Sequence, residues 1–423
     1  MADTLPPDQP ANAPADPAAD PTAPGPATRL IHHPYRAPAG FESPAVPVAK
    51  ASTVFFDSVA AMRSTRWADK SGYTYGLHGT PTSFTLEARL ATLEGASHVL
   101  LAPSGLAAIA LVDQALLGPG DTLLLPDNVY APSRNLAEHE LKRWGITTLT
   151  YDPLDAEAFG RLLGPSTRLI WLEAAGSVTL EFPDLRGLLA TARRLAPQAV
   201  IALDNTWGAG LAFDAFDLGE GLSADLTVHA LTKYPAGGGD LLMGSIACRD
   251  AELHARLAAA HGRLGLGVGA NDVEAVLRGL PSLPLRYAAQ DATARALAAH
   301  CAAQAARPGS LIRRVLHPAR PDSPGHAHWA ALCRAAAGLL TLEFAPEAAE
   351  GPRRAERFVE ALRHFRIGYS WGGPLSLAVP YEPAQIRPAG SPYRGPLVRL
   401  CIGLEDVADL IADVDQALAQ AAR

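Results

Sequence analysis

Lysine is scarce in this chain of 423 residues. Only Lys50, Lys70, Lys142 and Lys233 carry it, and arginine supplies the rest of the 36 basic residues. The bias has no chemistry of its own, yet it makes each lysine worth placing. Lys50, Lys70 and Lys142 sit among polar neighbours or on a helical pattern, where a solvated surface charge is expected. Basic residues are also outnumbered, 36 against 43 acidic, for a formal charge of −7, which gives no case for nucleic acid binding. Four cysteines, Cys248, Cys301, Cys333 and Cys401, lie far apart without a CxxC pair, so neither a zinc ribbon nor a disulfide framework is expected and a reducing cytosol fits best. No stretch approaches the roughly 18 apolar residues of a membrane span, and the N-terminus lacks a basic region followed by an apolar one. Membrane insertion and secretion are both disfavoured, and a cytoplasmic protein is expected.

What is present is enough apolar residue, 48%, to bury a large core in two domains. Residues 1–27 are Pro, Ala and Asp with little to bury and read as a disordered leader. Residues 28–66 hold short apolar pieces without a helical period and read as an N-terminal arm. From Ser83 the pattern is regular. "FTLEARLATLEG" is a helix ended by Gly95, after which the strand-like runs "HVLLA", "DTLLLP", "ITTLTY", "TRLIWLE" and "AVIALD" alternate with helical stretches. Such alternation predicts an α/β fold with a mostly parallel central sheet covered by helices, over residues 67–270. Beyond that, long Ala-rich helices with the strands "GLLTLEFA" and "LVRLCI" predict a smaller α+β C-terminal domain over 271–423.

In open parallel sheets ligands bind beyond the carboxyl ends of the strands. "HVLLAPSGLAAIALV" runs strand, turn, helix, with Ser104, Gly105 and Leu106 at the turn. It reads either as a phosphate cradle or as an ordinary β-to-α turn. Tyr130 in "LLLPDNVYAPS" offers an aromatic face or a packed rim residue. Asp204 ends "AVIALD" as a turn former or as the partner of a buried cation. "LTVHALTK" ends in Thr232 and Lys233, a lysine at the end of a core strand and partly desolvated. Jointly these are what pyridoxal phosphate requires: a lysine for a Schiff base, an acid to keep the pyridine nitrogen protonated, an aromatic plate and a phosphate anchor. The "PAGGG" that follows lacks GxGxxG spacing and a following helix, so a nicotinamide oxidoreductase rests on little. His317, His326 and His328 with Cys333 lack the spacing of a zinc finger or an HExxH site and read as a surface loop, without a metal.

"YTYGLHGTPTSFTLEARLATLEG", "LDNTWGAG", "TKY", "YSWGGPLSL" and "RLCIGLEDVADLIADVD" resemble the fold-type I pyridoxal phosphate enzymes of Cys/Met metabolism, the trans-sulfuration enzymes. Within that family the likeness is nearest to the bacterial cystathionine β-lyases. The resemblance implies that Lys233 holds the cofactor, Asp204 pairs with its pyridine nitrogen and Tyr130 stacks on its ring. Backbone at Gly105 and Leu106 with the Thr232 hydroxyl would bind phosphate, and Ser177 falls with the cofactor-binding set. Tyr75 matches a tyrosine that reaches the neighbouring subunit's phosphate. Arg399 matches the arginine that grips the substrate α-carboxylate, and Ser370 and Trp371 line the substrate pocket. The tryptophan favours β-lyases, since γ-acting relatives commonly carry Ser-Leu-Gly there.

Leu77 stands where many members have a second phosphate-reaching arginine, a task left to His78 or lost. Gly238 stands where close β-lyases have histidine. The implied activity is α,β-elimination of L-cystathionine to homocysteine, pyruvate and ammonia, with side activity on cysteine, in a homotetramer built as a dimer of dimers. The alternatives are a γ-acting relative and a non-catalytic binding protein that keeps the fold.

Overall fold

Seven short strands, most of them nearly continuous apolar runs, form the first sheet: β1 His98–Ala102, β2 Thr122–Pro126, β3 Thr147–Tyr151, β4 Thr167–Glu173, β5 Val200–Asp204, β6 Leu226–Ala230 and β7 Gly244–Cys248. Their order is β1-β7-β6-β5-β4-β2-β3. All pairings are parallel except those of β7 with β1 and β6. The carboxyl ends of β1, β2, β4, β5 and β6 therefore share one edge, where the sequence placed its chemistry. The computed structural model describes residues 28, 31–32, 40, 43–67, 70–346, 351–388 and 390–423. The leader 1–27, most of 28–42 and His33 lie outside the described residues. No helix among the described residues is long and apolar enough to cross a membrane.

Strand alternation divides the core between two faces. Ala202, Leu226 and Val228 pack with Ile109, Leu111 and Leu257 of the helices Gly105–Leu116 and Ala251–Leu264. Ile201, Leu203 and Ile170 pack on the other face with Leu188 and Leu189 of the helix Leu185–Leu195. Burying both faces is what makes these strands apolar throughout rather than alternating. The helix Pro81–Glu94 starts at a Thr80/Ser83 capping box and stops at Gly95, whose φ of 71° suits glycine. Its last residue, Glu94, is buried and accepts from Asn205 Nδ2 (3.0 Å) and Thr227 Oγ1 (3.2 Å), with His229 Nδ1 at 3.0 Å, which ties the helix to β5 and β6.

The second sheet holds β8 Ile312–Leu316, β9 Leu339–Phe344, β10 Arg366–Ile367, β11 Leu377–Tyr381 and β12 Leu397–Cys401, in the order β10-β11-β12-β9-β8. One face packs on the helices Leu283–Ala305, Gly351–Ala361 and Val407–Ala421 through Leu297, Phe358, Leu410 and Val414. The other turns toward the first sheet: Leu339 and Cys401 join the core that holds Leu203 and Trp207. That arrangement brings Arg399, on β12, to the edge where β4, β5 and β6 end.

Two sequence expectations change here. Lys70 is not a solvated charge: its Nζ lies 2.6 Å from a carboxylate oxygen of the buried Glu87 and donates to Val99 O at 2.9 Å. The histidines near 320 are not all on a surface loop either. His317 is buried, and burial pushes its pKa down to about 3, so it sits neutral and accepts from Ala319 N–H through Nδ1. The Pro-rich composition around it concealed a buried turn, in which His317 N–H donates to Ser323 Oγ at 2.9 Å and His326 Nδ1 lies 2.9 Å from Pro318 O.

Candidate active site

The strand ends close around one cavity of about 750 Å³. At the end of β1, Ser104 caps the helix Gly105–Leu116, accepting from Ala107 N–H on its hydroxyl (3.0 Å) and from Ala108 N–H on its carbonyl. Helix geometry leaves the N–H groups of Gly105 and Leu106 without an intrahelical acceptor, and both residues line the cavity. A Cβ on Gly105 would lie 2.7 Å from the Ala230 Cβ, so only glycine lets this helix start so close to the end of β6.

Beyond β2, Tyr130 precedes the helix Ala131–Leu136 and stands 42% exposed at the cavity wall. Its backbone N–H donates to Glu173 Oε2 at 2.9 Å. Glu173 ends β4 directly beside Asp204, which ends β5. Burial, and then the Asp204 charge, raise the Glu173 pKa well above the usual carboxylate range. The Asp204 carboxyl is also raised by burial. Its hydrogen bonds with Thr206, whose N–H donates to Oδ1 at 2.9 Å, and the neighbouring His229 and Lys233 work against the shift. Glu173 was missed in the sequence, although it closes "TRLIWLE" at the same position along the edge as Asp204 does in "AVIALD".

Lys233 does not end its strand. β6 stops at Ala230, and Lys233 sits three residues on in a turn, its N–H bonded to Ala230 O at 3.0 Å. Gly237 (φ 69°) and Gly239 (φ 72°) then carry the chain away in conformations that suit glycine. The Lys233 amine donates to Ser370 Oγ at 2.8 Å and lies 5.4 Å from the Trp371 ring. Burial, and then the charge of Arg399, push its pKa down from 10.5 to about 8. Ser370 holds φ 107°, a strained value for a side chain with a Cβ, and the next ring, Trp371, packs edge-on against Tyr234 at 5.3 Å. Arg399 is buried, 6% exposed, with its guanidinium 5.5 Å from the Tyr381 ring and its Nε without a hydrogen-bond partner.

Lys233, Asp204, Tyr130, Gly105, Leu106, Thr232, Ser177, Arg399, Ser370 and Trp371 all line this cavity. The Thr232 hydroxyl is already engaged, accepting from Met243 N–H at 3.1 Å and facing Met243 O at 3.3 Å. Tyr75 is not among the lining residues. It stands half-exposed, bridged to Thr53, beside a separate cavity of about 450 Å³ lined by Leu77 and His78. His78 stacks on Trp67 (4.3 Å) and pairs with Thr74 Oγ1 through Nδ1 at 3.0 Å.

These groups fit pyridoxal phosphate. The helix N-terminus gives free N–H donors where only glycine fits, Asp204 acts on a desolvated amine, and a buried guanidinium with an unpartnered Nε lines the same cavity. Fold and site define a pyridoxal-phosphate-dependent enzyme of the class with a large, mostly parallel sheet and a smaller C-terminal sheet. The profile of the family described as Cys/Met metabolism PLP-dependent enzyme matches residues 27–419. A cystathionine beta-lyase of Bordetella avium is 38% identical over 93% of this chain and 97% of its own length. That of Escherichia coli K12 is 34% identical over 88% and 93%. Among solved structures, cystathionine gamma synthase from Xanthomonas oryzae pv. oryzae, in complex with aminoacrylate and cysteine, superposes with a TM-score of 0.79 at 30% identity, covering 89% of this chain and 93% of its own. The chain belongs to the Cys/Met metabolism PLP-dependent enzymes.

Proposed function

We propose that this chain is a cystathionine β-lyase, which cleaves the Cβ–S bond of L-cystathionine. The observation that carries the reading is the environment of Lys233: one desolvated amine, bonded to Ser370 Oγ and 5.4 Å from the Trp371 ring, in a cavity that also holds Asp204 and the buried Arg399. Trp371 beside Ser370 favours β- over γ-elimination within the family.

Arg399 receives the α-carboxylate of the amino-acid substrate, a bidentate task that a fixed guanidinium performs with little reorganisation. Lys233 in its free-amine form takes the Cα proton, for which a pKa of about 8 suits it near neutral pH. Bound pyridoxal phosphate supplies the sink for the electron pair that this releases. Asp204, as an anion, would hold the pyridine nitrogen protonated, and Tyr130 would cover the ring. The backbone N–H groups of Gly105 and Leu106 would hold the phosphate together with the Thr232 hydroxyl, and Ser177 completes the wall. Lys233 then returns its proton to the sulfur of the leaving homocysteine. The three-carbon remainder takes up one water to give pyruvate and ammonia.

Tyr75 serves the cofactor of a second copy of the chain, in a cytoplasmic dimer of dimers, with residues 67–270 as the cofactor domain and 271–423 as the smaller one. Incubation with L-cystathionine tests the reading, since pyruvate and homocysteine should appear in equal amounts. The γ-acting alternative, favoured by the likeness to a γ-synthase structure, predicts 2-oxobutyrate and cysteine instead.

A further inference from the structure

Three separate segments wall the outer half of the cavity. Val129 to Asn135 follow β2, Ser177, Val178 and Leu180 follow β4, and Gln385 and Ile386 belong to the link between β11 and β12. They come from two different sheets, and nothing in their local sequence fixes one against another. Behind them lies a buried polar cluster that does. Glu181, 1% exposed, accepts from Arg387 Nη2, from Tyr393 OH at 2.6 Å, from Asn128 Nδ2 at 2.8 Å and from Thr179 Oγ1 at 3.0 Å. Arg387, 3% exposed, also reaches Asp127 Oδ1 at 3.2 Å, without hydrogen-bond geometry, and Asp152 Oδ1 at 3.7 Å. Arg134 adds a second clamp, donating to Ile386 O and Gln385 O at 2.7 Å each. Each of the three walls thus contributes to one network: Asp127, Asn128 and Arg134 from the first, Thr179 and Glu181 from the second, Arg387 and Tyr393 from the third.

We propose that the buried Glu181–Arg387 pair is a positioning device for substrate length, holding the Gln385–Ile386 wall at the distance from Tyr130 that the part of the substrate beyond the sulfur requires. Neither residue lines the cavity, so both act through the walls they join. Two properties point to selectivity rather than bulk stability. A buried ion pair of this kind adds little net stability compared with an apolar pair of the same volume, whereas it fixes one arrangement of its partners. The pair's own hydrogen bonds also leave the groups that meet the α-carboxylate and Cα untouched. Arg399 and Lys233, which meet the α-carboxylate and Cα, lie on β12 and after β6, and neither shares a hydrogen bond with Glu181 or Arg387. Exposed Gln385, by contrast, stands at the solvent end.

This inference rests on the reading of the cavity as the site for a thioether amino acid, and the experiment keeps the two separable. The holoenzyme and the variant Arg387→Leu/Glu181→Leu, which removes both charges together, are compared on L-cystathionine and on L-cysteine, which lacks everything beyond the sulfur. Tyr393→Phe, which deletes one hydrogen bond to Glu181, serves as the milder variant where the double substitution does not fold. The expected result is a rise of roughly tenfold in KM for cystathionine on the double variant, and a few-fold rise on Tyr393→Phe. KM for cysteine, both kcat values and the cofactor absorption spectrum should stay within twofold. Equal changes on the two substrates, a fall in kcat alone, or no change in either KM overturns the proposal. A wild-type enzyme that leaves cystathionine intact overturns the function proposed above instead.

Discussion

Lys233 offers the most quantitative test. Its amine is held at a pKa of about 8 where an ordinary lysine has 10.5. At pH 7 the neutral fraction is then roughly 10%, against roughly 0.03% unperturbed, about a 300-fold gain in reactive amine. The cause is burial first and the Arg399 charge second, with Asp204 acting in the opposite direction. The perturbations therefore have opposite signs. Arg399→Met should raise the Lys233 pKa, and Asp204→Asn should lower it further. The assay is amine labelling of the cofactor-free chain across pH, read on the Lys233 peptide by mass spectrometry with the other three lysines as internal standards. Linkage gives a second readout. Because the folded pKa is depressed, the folded chain binds fewer protons than the unfolded one between about pH 8 and 10.5. Stability should rise across that window by up to about 3 kcal/mol, and Lys233→Met should remove that rise. A labelling midpoint near 10.4 for Lys233, or a midpoint that ignores both substitutions, would refute the assignment of burial and Arg399 as causes.

Three further outcomes follow from single residues. Glu173→Leu leaves the Tyr130 N–H without its acceptor and should cost about 1–3 kcal/mol in thermal or denaturant unfolding, with faster cofactor loss, while Glu173→Gln should retain most of both. Gly105→Ala places a methyl 2.7 Å from Ala230 and should weaken cofactor binding by about tenfold, measured by equilibrium titration, at a stability cost of about 1–3 kcal/mol. Lys70→Met strands the carboxylate of Glu87. Because the lysine side chain is 30% exposed, the expected loss is about 2 kcal/mol, below that for a fully buried pair, and Lys70→Met/Glu87→Leu should recover much of it.

The strands that carry the site were legible because burial on both faces makes them continuous apolar runs, and the chemistry-bearing residues close a run or follow it within a few positions. Lys233, Asp204 and Tyr130 were found that way. Glu173 satisfied the same rule and was passed over, because an acid after an apolar run reads equally well as a strand terminator. β7 was not legible: "GSIAC" has three small residues in five, Gly244, Ser245 and Ala247, and reverses direction, so neither hydrophobicity nor alternation with helices announces it. Lys70 and His317 misled for another reason. Their neighbours in sequence are polar or Pro-rich, and their partners, Glu87 for Lys70 and the Ser323 hydroxyl for the His317 N–H, are met only on folding. The Glu181–Arg387 pair joins residues 206 apart, and nothing local to either one signals the other.

The central claim concerns which bond is broken. L-cystathionine incubated with the holoenzyme should yield pyruvate and homocysteine in a one-to-one ratio, with neither product from Lys233→Ala, quantified together by mass spectrometry. Accumulation of 2-oxobutyrate and cysteine, or turnover that survives the loss of Lys233, would contradict it.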